Sequence, residues 1–296
     1  MMSDKETFLH QLESNFKTYA IMKIYPNGYR KIIAASSPIF GGDGWEMSDK
    51  WDTKSSRKRD RDKKSSPADL MRSKRRAAAK LKDYALCNDF NYFVTLTLSA
   101  EKIDRYSLPE AVKRLRVWLD NRVRRHGLKY ILVPEQHKDG AFHFHGFFNN
   151  AVQIIDSGTL KIDGIKAPKR PRSEKQRQEW LAACAKPVYN ILDWELGFST
   201  AIEIYGDYNA AIGYVSKYVT KQGDKLGGRW YYSGGDLRLP QVEKLDGLSF
   251  REVEQVNGSY CFEIPEAGLS MAILEVRGGK DDFGLFGSRE ESHGTD

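Results

Sequence analysis

The chain has 296 residues, of which 40% are hydrophobic and 29% charged, as in a soluble globular protein. It contains no run of about 18 apolar residues and no basic-then-apolar signal pattern near its start, so we expect no membrane span and a cytoplasmic location. Its net charge of +7 favours a polyanionic partner, and its three widely spaced cysteines argue against a disulfide framework or a zinc ribbon.

The N-terminal part, residues 1–66, combines two short candidate strands with a long polar connection. Tyr19–Ile24 and Tyr29–Ala34 are rich in strand-forming residues, and Pro26–Gly28 is typical of a turn between them. Residues 40–67 are rich in Gly, Ser, Asp and Lys, a composition that predicts a disordered connection. We therefore expect residues 1–66 to be separate from the domain that follows.

Positive charge is concentrated between residues 50 and 82. The second half of this stretch belongs to a helix predicted at 68–87, which begins after Pro67. Such a surface suits DNA phosphates, and the alternative is a solvated linker followed by an ordinary exposed helix. The candidate phosphate contacts on the helix are Arg72, Arg75 and Arg76.

The central part, residues 67–240, has the most regular pattern. Its predicted order is strand, helix, strand–strand hairpin, strand and helix, at Phe93–Leu98, Leu108–His126, Lys129–Pro134, Ala141–Phe148, Thr200–Tyr205 and Tyr208–Gln222. This order predicts an α+β fold, a split βαβ (ferredoxin-like) domain with a central antiparallel sheet and helices on one face. An insertion at about 150–195, with the basic segment Lys166–Lys175, interrupts the pattern.

The C-terminal part, residues 241–296, predicts a small β appendage and a flexible tail. Residues 249–277 suggest two or three strands, with Asn257–Gly258 as a hairpin turn.

Three of the six histidines fall within nine residues, in the segment from Glu135 to His145. Side chains alternate along a strand, so His143 and His145 share one face of the predicted hairpin. If Asp139–Gly140–Ala141 is a three-residue loop, Glu135 lies opposite His145 and His137 lies opposite His143. A two-residue loop would instead turn Glu135 to the other face.

Two imidazoles and one carboxylate on one face, with positions left open, suit a divalent cation that also holds a phosphate oxygen. We therefore predict Glu135, His143 and His145 as metal ligands, with His137 as an additional candidate. Mixed nitrogen and oxygen ligation fits Mn²⁺ and tolerates Mg²⁺, Zn²⁺ or Co²⁺. The alternative is the exposed polar face of an edge hairpin.

The predicted helix at 208–222 carries Tyr214 and Tyr218 side by side next to its apolar stripe. Lys217 and Lys221 each follow a tyrosine by three residues and flank the same edge. A phenol has an ordinary pKa of about 10 and is a poor nucleophile at neutral pH, but a nearby cation stabilises the phenolate. The pattern therefore suits attack on a phosphodiester, and the alternative is a pair of ordinary boundary tyrosines.

These features follow the order of three motifs in one family. The segments FVTLTL (Phe93–Leu98), HFH (His143–His145) and YVSKYVTK (Tyr214–Lys221) resemble the motifs of the HUH endonucleases, and within them the rolling-circle replication initiator (Rep) proteins. The third motif is similar to the two-tyrosine form of microvirus gene A proteins and filamentous-phage gene II-type proteins. It also fits the single-tyrosine form, which places Tyr218 at the nucleophile. Glu135 matches a glutamate that precedes the first histidine by eight residues in many Reps.

The resemblance covers about residues 90–232 and implies a nuclease domain with a five-stranded antiparallel sheet that uses Mg²⁺ or Mn²⁺. It implies nicking of single-stranded origin DNA of a phage or plasmid, a covalent 5′-phosphotyrosine and a free 3′-OH that primes synthesis. Thr95 and Thr97, in the first motif, are implied DNA contacts. Because no G-x-x-x-x-G-K-[ST] motif occurs, we expect a host helicase as well as a host DNA polymerase as partners.

Two other classes of protein fit parts of the pattern. A relaxase or single-strand transposase of the same superfamily would share the chemistry, but relaxases usually carry the tyrosine near the N-terminus. A non-catalytic module that binds single-stranded nucleic acid would share the topology, but its sheet would need stacking aromatics where this strand carries His and Glu.

Overall fold

The computed structural model describes residues 19–37, 66–137, 139–165, 167–204, 208–223, 225–245, 247–265 and 268–276. Their elements, in chain order, are β1 (Ala20–Ile24), β2 (Arg30–Ala35), α1 (Pro67–Cys87), β3 (Tyr92–Leu98), α2 (Leu108–His126), β4 (Tyr130–Gln136), β5 (Phe142–Phe148), β6 (Ile154–Lys161), α3 (Glu174–Ala182), β7 (Lys186–Ile191), β8 (Gly197–Glu203), α4 (Tyr208–Lys221), β9 (Tyr232–Gly234), β10 (Gln241–Lys244), α5 (Phe250–Glu254), β11 (Tyr260–Ile264) and β12 (Leu269–Val276). They fall into two compact units, one within residues 65–239 and one within 1–64 and 240–296.

The larger unit is built on a sheet of seven strands in the order β6-β7-β8-β3-β5-β4-β9. All of its neighbouring strands run antiparallel, which confirms the predicted α+β class and antiparallel sheet. The sheet is wider than the five strands implied by the resemblance. The predicted insertion at about 150–195 supplies the two extra strands β6 and β7 at one edge, so the insertion is part of the sheet.

Helices cover both faces of this sheet, which corrects the expectation of helices on one face. On one side, α2 packs against buried residues of β3 such as Leu96 and of β5 such as Phe144. On the other side, α1 and α4 pack against Ile131, Val133 and Phe147. Both faces of the central strands carry buried apolar residues, so each face needs a covering layer.

Helix α2 has the predicted bounds, and Gly127 terminates it. This glycine adopts φ 69°, in the left-handed region, and its N–H donates to the Val123 carbonyl at 3.0 Å. Glycine pays no Cβ penalty there, which is why the helix ends at this residue.

The smaller unit combines strands from residues 20–35 and 241–276 in one antiparallel sheet of order β10-β1-β2-β12-β11. The sequence alone predicts these strands in two separate parts. Two strands form within 249–277, as expected, but the predicted hairpin turn at Asn257–Gly258 is wrong. Ser249 and Glu252 form a capping box that starts α5, and the β11–β12 hairpin turns at Gly268 instead.

Several sequence predictions lie outside the described residues: the linker up to residue 65, with the basic residues before Ser66, and the tail from residue 277. Among the described helices, none combines the length and apolarity needed to cross a bilayer.

Candidate active site

Three central strands place the predicted polar residues on one face of the sheet. His143 and His145 lie on β5, and the register with β3 sets Thr97 opposite His143 and Thr95 opposite His145. On the other side of β5, Glu135 of β4 lies opposite His143. Residues directly opposite share a face, so these side chains all project toward the side that carries α1 and α4.

The observed hairpin register differs by two residues from the predicted one. Val133, not Glu135, lies opposite His145, and the turn lies between His137 and Ala141, whose backbones are joined by a hydrogen bond of 2.8 Å. Gly140 is left-handed, with φ 88°. A shift of two residues leaves every side chain on its face, because the strand period is two. Glu135 therefore still joins the histidines.

Each histidine is held by a threonine of the neighbouring strand. Thr95 Oγ1 lies 3.1 Å from His145 Nδ1, and Thr97 Oγ1 lies 3.1 Å from His143 Nδ1. The family resemblance implies DNA contacts for both threonines, and the sequence does not predict these pairs. Both Nδ1 atoms are thus engaged with threonines, so each ring meets any further partner through Nε2.

Glu135 and His145 form a close pair, with Glu135 Oε2 at 2.9 Å from His145 Nε2. Two ligands about 2.1 Å from an octahedral ion and at right angles are about 3.0 Å apart, so this pair has the spacing of adjacent ligands. As the side chains stand, no three His, Cys, Asp or Glu side chains of the described residues are placed to hold a metal ion. The donor chemistry therefore fits a divalent ion, and a third ligand requires a side chain to turn toward this pair.

His143 is the neighbour best placed to do so. Its ring is nearly parallel to that of His145, at 6° and with centroids 6.4 Å apart. The ring of His137 lies 4.9 Å from that of His143 on the outer side, next to Asp139. The structure thus brings all four predicted ligands to one patch, in the order His137, His143, His145 along the face, with Glu135 against His145.

Burial keeps the two inner histidines neutral. It lowers the pKa of His145 to about 4, with a smaller contribution from the positive charge of His137. Burial also lowers the pKa of His143, again with help from the neighbouring histidines. Neutral imidazoles retain a lone pair, which a metal ligand requires.

The tyrosine helix α4 covers this patch. The ring of Tyr218 stacks on the ring of His145, with centroids 4.5 Å apart and an interplanar angle of 7°. Its hydroxyl donates to the Tyr214 hydroxyl at 2.8 Å. Tyr214 is half exposed and packs edge-on against Phe93. Both tyrosines therefore lie on the histidine side of the sheet, with Tyr218 nearer to the histidines.

The surroundings of Tyr218 disfavour its ionised form. Burial raises its pKa well above the ordinary value, and the Tyr214 hydroxyl and the Glu135 charge raise it further. Lys221 Nζ lies over the Tyr218 ring, 5.9 Å from its centroid, and Lys217 is exposed. Tyr218 therefore stays a neutral phenol at neutral pH.

Basic residues flank the patch on α1, which packs against α4 on the same face. Arg72, Arg75 and Arg76 are exposed there, and Arg72 pairs with Asp69 at 2.8 Å. The described part of the predicted basic loop, with Lys169, lies beside β6 at the far edge of the sheet.

Residues 91–223 match the model of a family of replication-associated proteins, described by its ORF2 and gene II protein members. The match covers slightly less than half of the chain and spans β3 to α4, so it includes Glu135, His143, His145, Tyr214 and Tyr218. No curated protein and no solved structure matches the chain. The family match confirms the resemblance to rolling-circle Rep proteins.

Proposed function

We propose that this chain, whose residues 91–223 match a family of replication-associated proteins, starts rolling-circle replication by nicking one strand of origin DNA. Tyr218 Oη attacks the scissile phosphorus, the bond to the 3′ oxygen breaks, and that oxygen takes up a proton to become the 3′-OH primer. The DNA 5′ end remains on Tyr218 as a phosphotyrosine. The stacking of Tyr218 on His145, which in turn contacts Glu135, is the observation that carries this proposal.

The residues around Tyr218 would accept its proton, supply positive charge and provide a second nucleophile. Tyr214 Oη already accepts the Tyr218 hydroxyl hydrogen, so it is the first acceptor on the path by which the proton leaves. Lys221 and Lys217 add positive charge on the same helix edge. Tyr214 is also close enough to serve as a second nucleophile when the circle is joined.

Glu135, His143 and His145 would hold a divalent cation, Mg²⁺ or Mn²⁺, with His137 as a further candidate. When bound, such an ion withdraws charge from a phosphate oxygen and makes the phosphorus easier to attack. The contribution of the chain itself is to hold the histidines neutral and to keep Tyr218 against them.

The proposed partners are single-stranded origin DNA, a host helicase and a host DNA polymerase. Arg72, Arg75 and Arg76 would bind phosphates on the strand that approaches the site along α1. Such contacts position the DNA without reading its sequence.

A labelled hairpin oligonucleotide tests the proposal. We expect label to move to the protein, and to survive a denaturing gel, with Mn²⁺ or Mg²⁺ present and not with EDTA. Binding of the oligonucleotide without any transfer would instead support a non-catalytic binding module. Transfer that persists in EDTA would contradict the metal requirement.

A further inference from the structure

We infer that Thr95 and Thr97 are positioning residues: their hydroxyls keep the rings of His145 and His143 in place whichever ring nitrogen carries the hydrogen. This inference rests on the proposed function. The two contacts are alike: each threonine faces the histidine directly across the β3–β5 pair, and each Oγ1–Nδ1 distance is 3.1 Å. The two Thr–His pairs are two residues apart on both strands, which indicates that the same positioning contact occurs at both histidines.

A hydroxyl suits this position because it can both donate and accept. Without a cation, His145 Nε2 faces the Glu135 carboxylate at 2.9 Å, so Nε2 carries the hydrogen and Nδ1 accepts from Thr95. If Nε2 held a cation, the ring hydrogen would be on Nδ1 and would be donated to the same Thr95 oxygen. A carbonyl or carboxylate at this position could serve only the second state.

The threonines therefore keep both rings in one orientation while their tautomer changes. Partners of this kind, beyond the metal ligands themselves, typically alter metal affinity about 10-fold to 100-fold when removed. Valine keeps the branched shape of threonine and lacks its hydroxyl, so replacement by valine isolates the effect of the hydroxyl.

Thr95→Val and Thr97→Val remove the hydroxyl, and Thr95→Ser keeps it. The matched control is Thr200→Val, because Thr200 lies opposite Thr95 on β8, on the same face. We expect Thr95→Val and Thr97→Val each to bind Mn²⁺ about 10-fold more weakly by calorimetry, and Thr95→Ser and Thr200→Val to stay near wild type. Wild-type affinity in Thr95→Val, or an equal loss in Thr200→Val, would overturn the inference.

A second measurement separates this inference from the nicking proposal. Histidine ¹⁵N spectra of the metal-free protein report which ring nitrogen carries hydrogen. We expect Thr95→Val to change the His145 signals and to leave His143 unchanged, and Thr97→Val to do the reverse. This result stands even if no DNA adduct forms, and unchanged spectra in both variants would exclude the role of the threonines.

A separate observation points to a DNA-binding position two strands from His143. Phe198 is 75% exposed, although it lies within strand β8. It is opposite Thr97, which is itself opposite His143, so the three residues form one row across the sheet on the face that carries the tyrosines. Adjacent strands lie about 4.8 Å apart, which puts the Phe198 backbone about 10 Å from that of His143.

We propose that Phe198 is a platform on which one base of the single-stranded DNA stacks beside the scissile phosphate. Every base presents a flat face to an aromatic ring, so such a contact fixes the path of the strand without choosing its sequence. This proposal too rests on the proposed function, since it takes DNA as the occupant.

The test is binding of a fluorescent oligothymidylate in EDTA, where no cleavage is expected. Phe198→Ala should weaken binding about 10-fold and Phe198→Trp should restore it. Val117→Ala, at an exposed valine on α2 against the opposite face, is the matched control and should bind normally. Normal binding by Phe198→Ala, or an equal loss in the control, would overturn the platform. If Phe198→Ala binds DNA more weakly but the wild type forms no covalent adduct, the nicking proposal is rejected and the stacking platform is retained.

Discussion

At the scale of single residues, the site combines neutral imidazoles with a phenol that resists ionisation. Burial lowers the pKa of His145 and raises that of Tyr218, and the two rings are stacked on each other. The same burial therefore keeps the histidines neutral, as the proposed cation would require, and disfavours the phenolate of Tyr218. In this account, Tyr218 reacts only when positive charge reaches its oxygen.

The two tyrosines are expected to differ when each is changed to phenylalanine. Tyr218→Phe keeps the ring that stacks on His145 and removes the nucleophile, so adduct formation should fall by about 1,000-fold or more. Tyr214→Phe should still form the first adduct, more slowly because the hydroxyl that accepts the Tyr218 hydrogen is lost, but should fail to release closed circles, as measured on a replicon-length substrate. Full adduct formation by Tyr218→Phe would remove it from the role, and normal circle release by Tyr214→Phe would exclude the two-tyrosine scheme.

The sequence identified the tyrosines, the histidines and Glu135 because they cluster in short segments with clear periods. It missed the pairing of Thr95 and Thr97 with those histidines. That contact depends on the register between β3 and β5, which are about 50 residues apart, and local periodicity does not set such a register.

At the scale of elements, the central hairpin shows what strand periodicity can and cannot predict. The segment β4–β5 forms as expected and has a left-handed Gly140, but its register is two residues from the predicted one. The face assignment survives because it depends only on odd or even spacing. The prediction that helices cover only one face of the sheet was wrong for a different reason. Which side of α1 and α4 is buried becomes evident only when both helices are packed on β4 and β5.

The hairpin also depends on a close backbone approach at Gly146 of β5. A Cβ added there would lie 1.8 Å from the Ile131 carbonyl oxygen, so Gly146→Ala must push the strands apart. We expect it to lower the free energy of unfolding by about 3 kcal/mol, measured by urea denaturation. Gly213→Ala, in α4 with nothing within 4 Å of the added Cβ, should raise it by about 0.5–1 kcal/mol. Equal stability of the two variants would contradict the packing described.

At the scale of the whole molecule, the chain divides into a unit that carries the site and a unit whose sheet combines strands from residues 20–35 and 241–276. The sequence predicted the order of elements in the first unit, where neighbouring elements in the chain also meet in space. It did not predict that β1 and β2 pair with β10 and β12, because more than 200 residues separate those strands. Pairing over such distances leaves no local signal.

The net charge of +7 favours binding to polyanions such as DNA. The position of the site predicts that the basic residues of α1 contact the DNA. Replacing Arg72, Arg75 and Arg76 by Ala should reduce the slope of log affinity against log salt for single-stranded DNA by about 2. The control replaces Lys113, Arg114 and Arg125, on α2 against the opposite face, and should leave the slope unchanged. The reverse outcome would move the DNA path to the other side of the sheet.

Locating the nucleotide in the covalent product tests most directly whether Tyr218 is the nucleophile. Trypsin cuts after Lys217 and Lys221, so it separates Tyr214 and Tyr218 into different peptides. Mass spectrometry of the adduct formed with Mn²⁺ and a hairpin oligonucleotide should find the nucleotide on the peptide Tyr218–Lys221. A nucleotide found on another peptide, or no covalent product at all, would contradict the account.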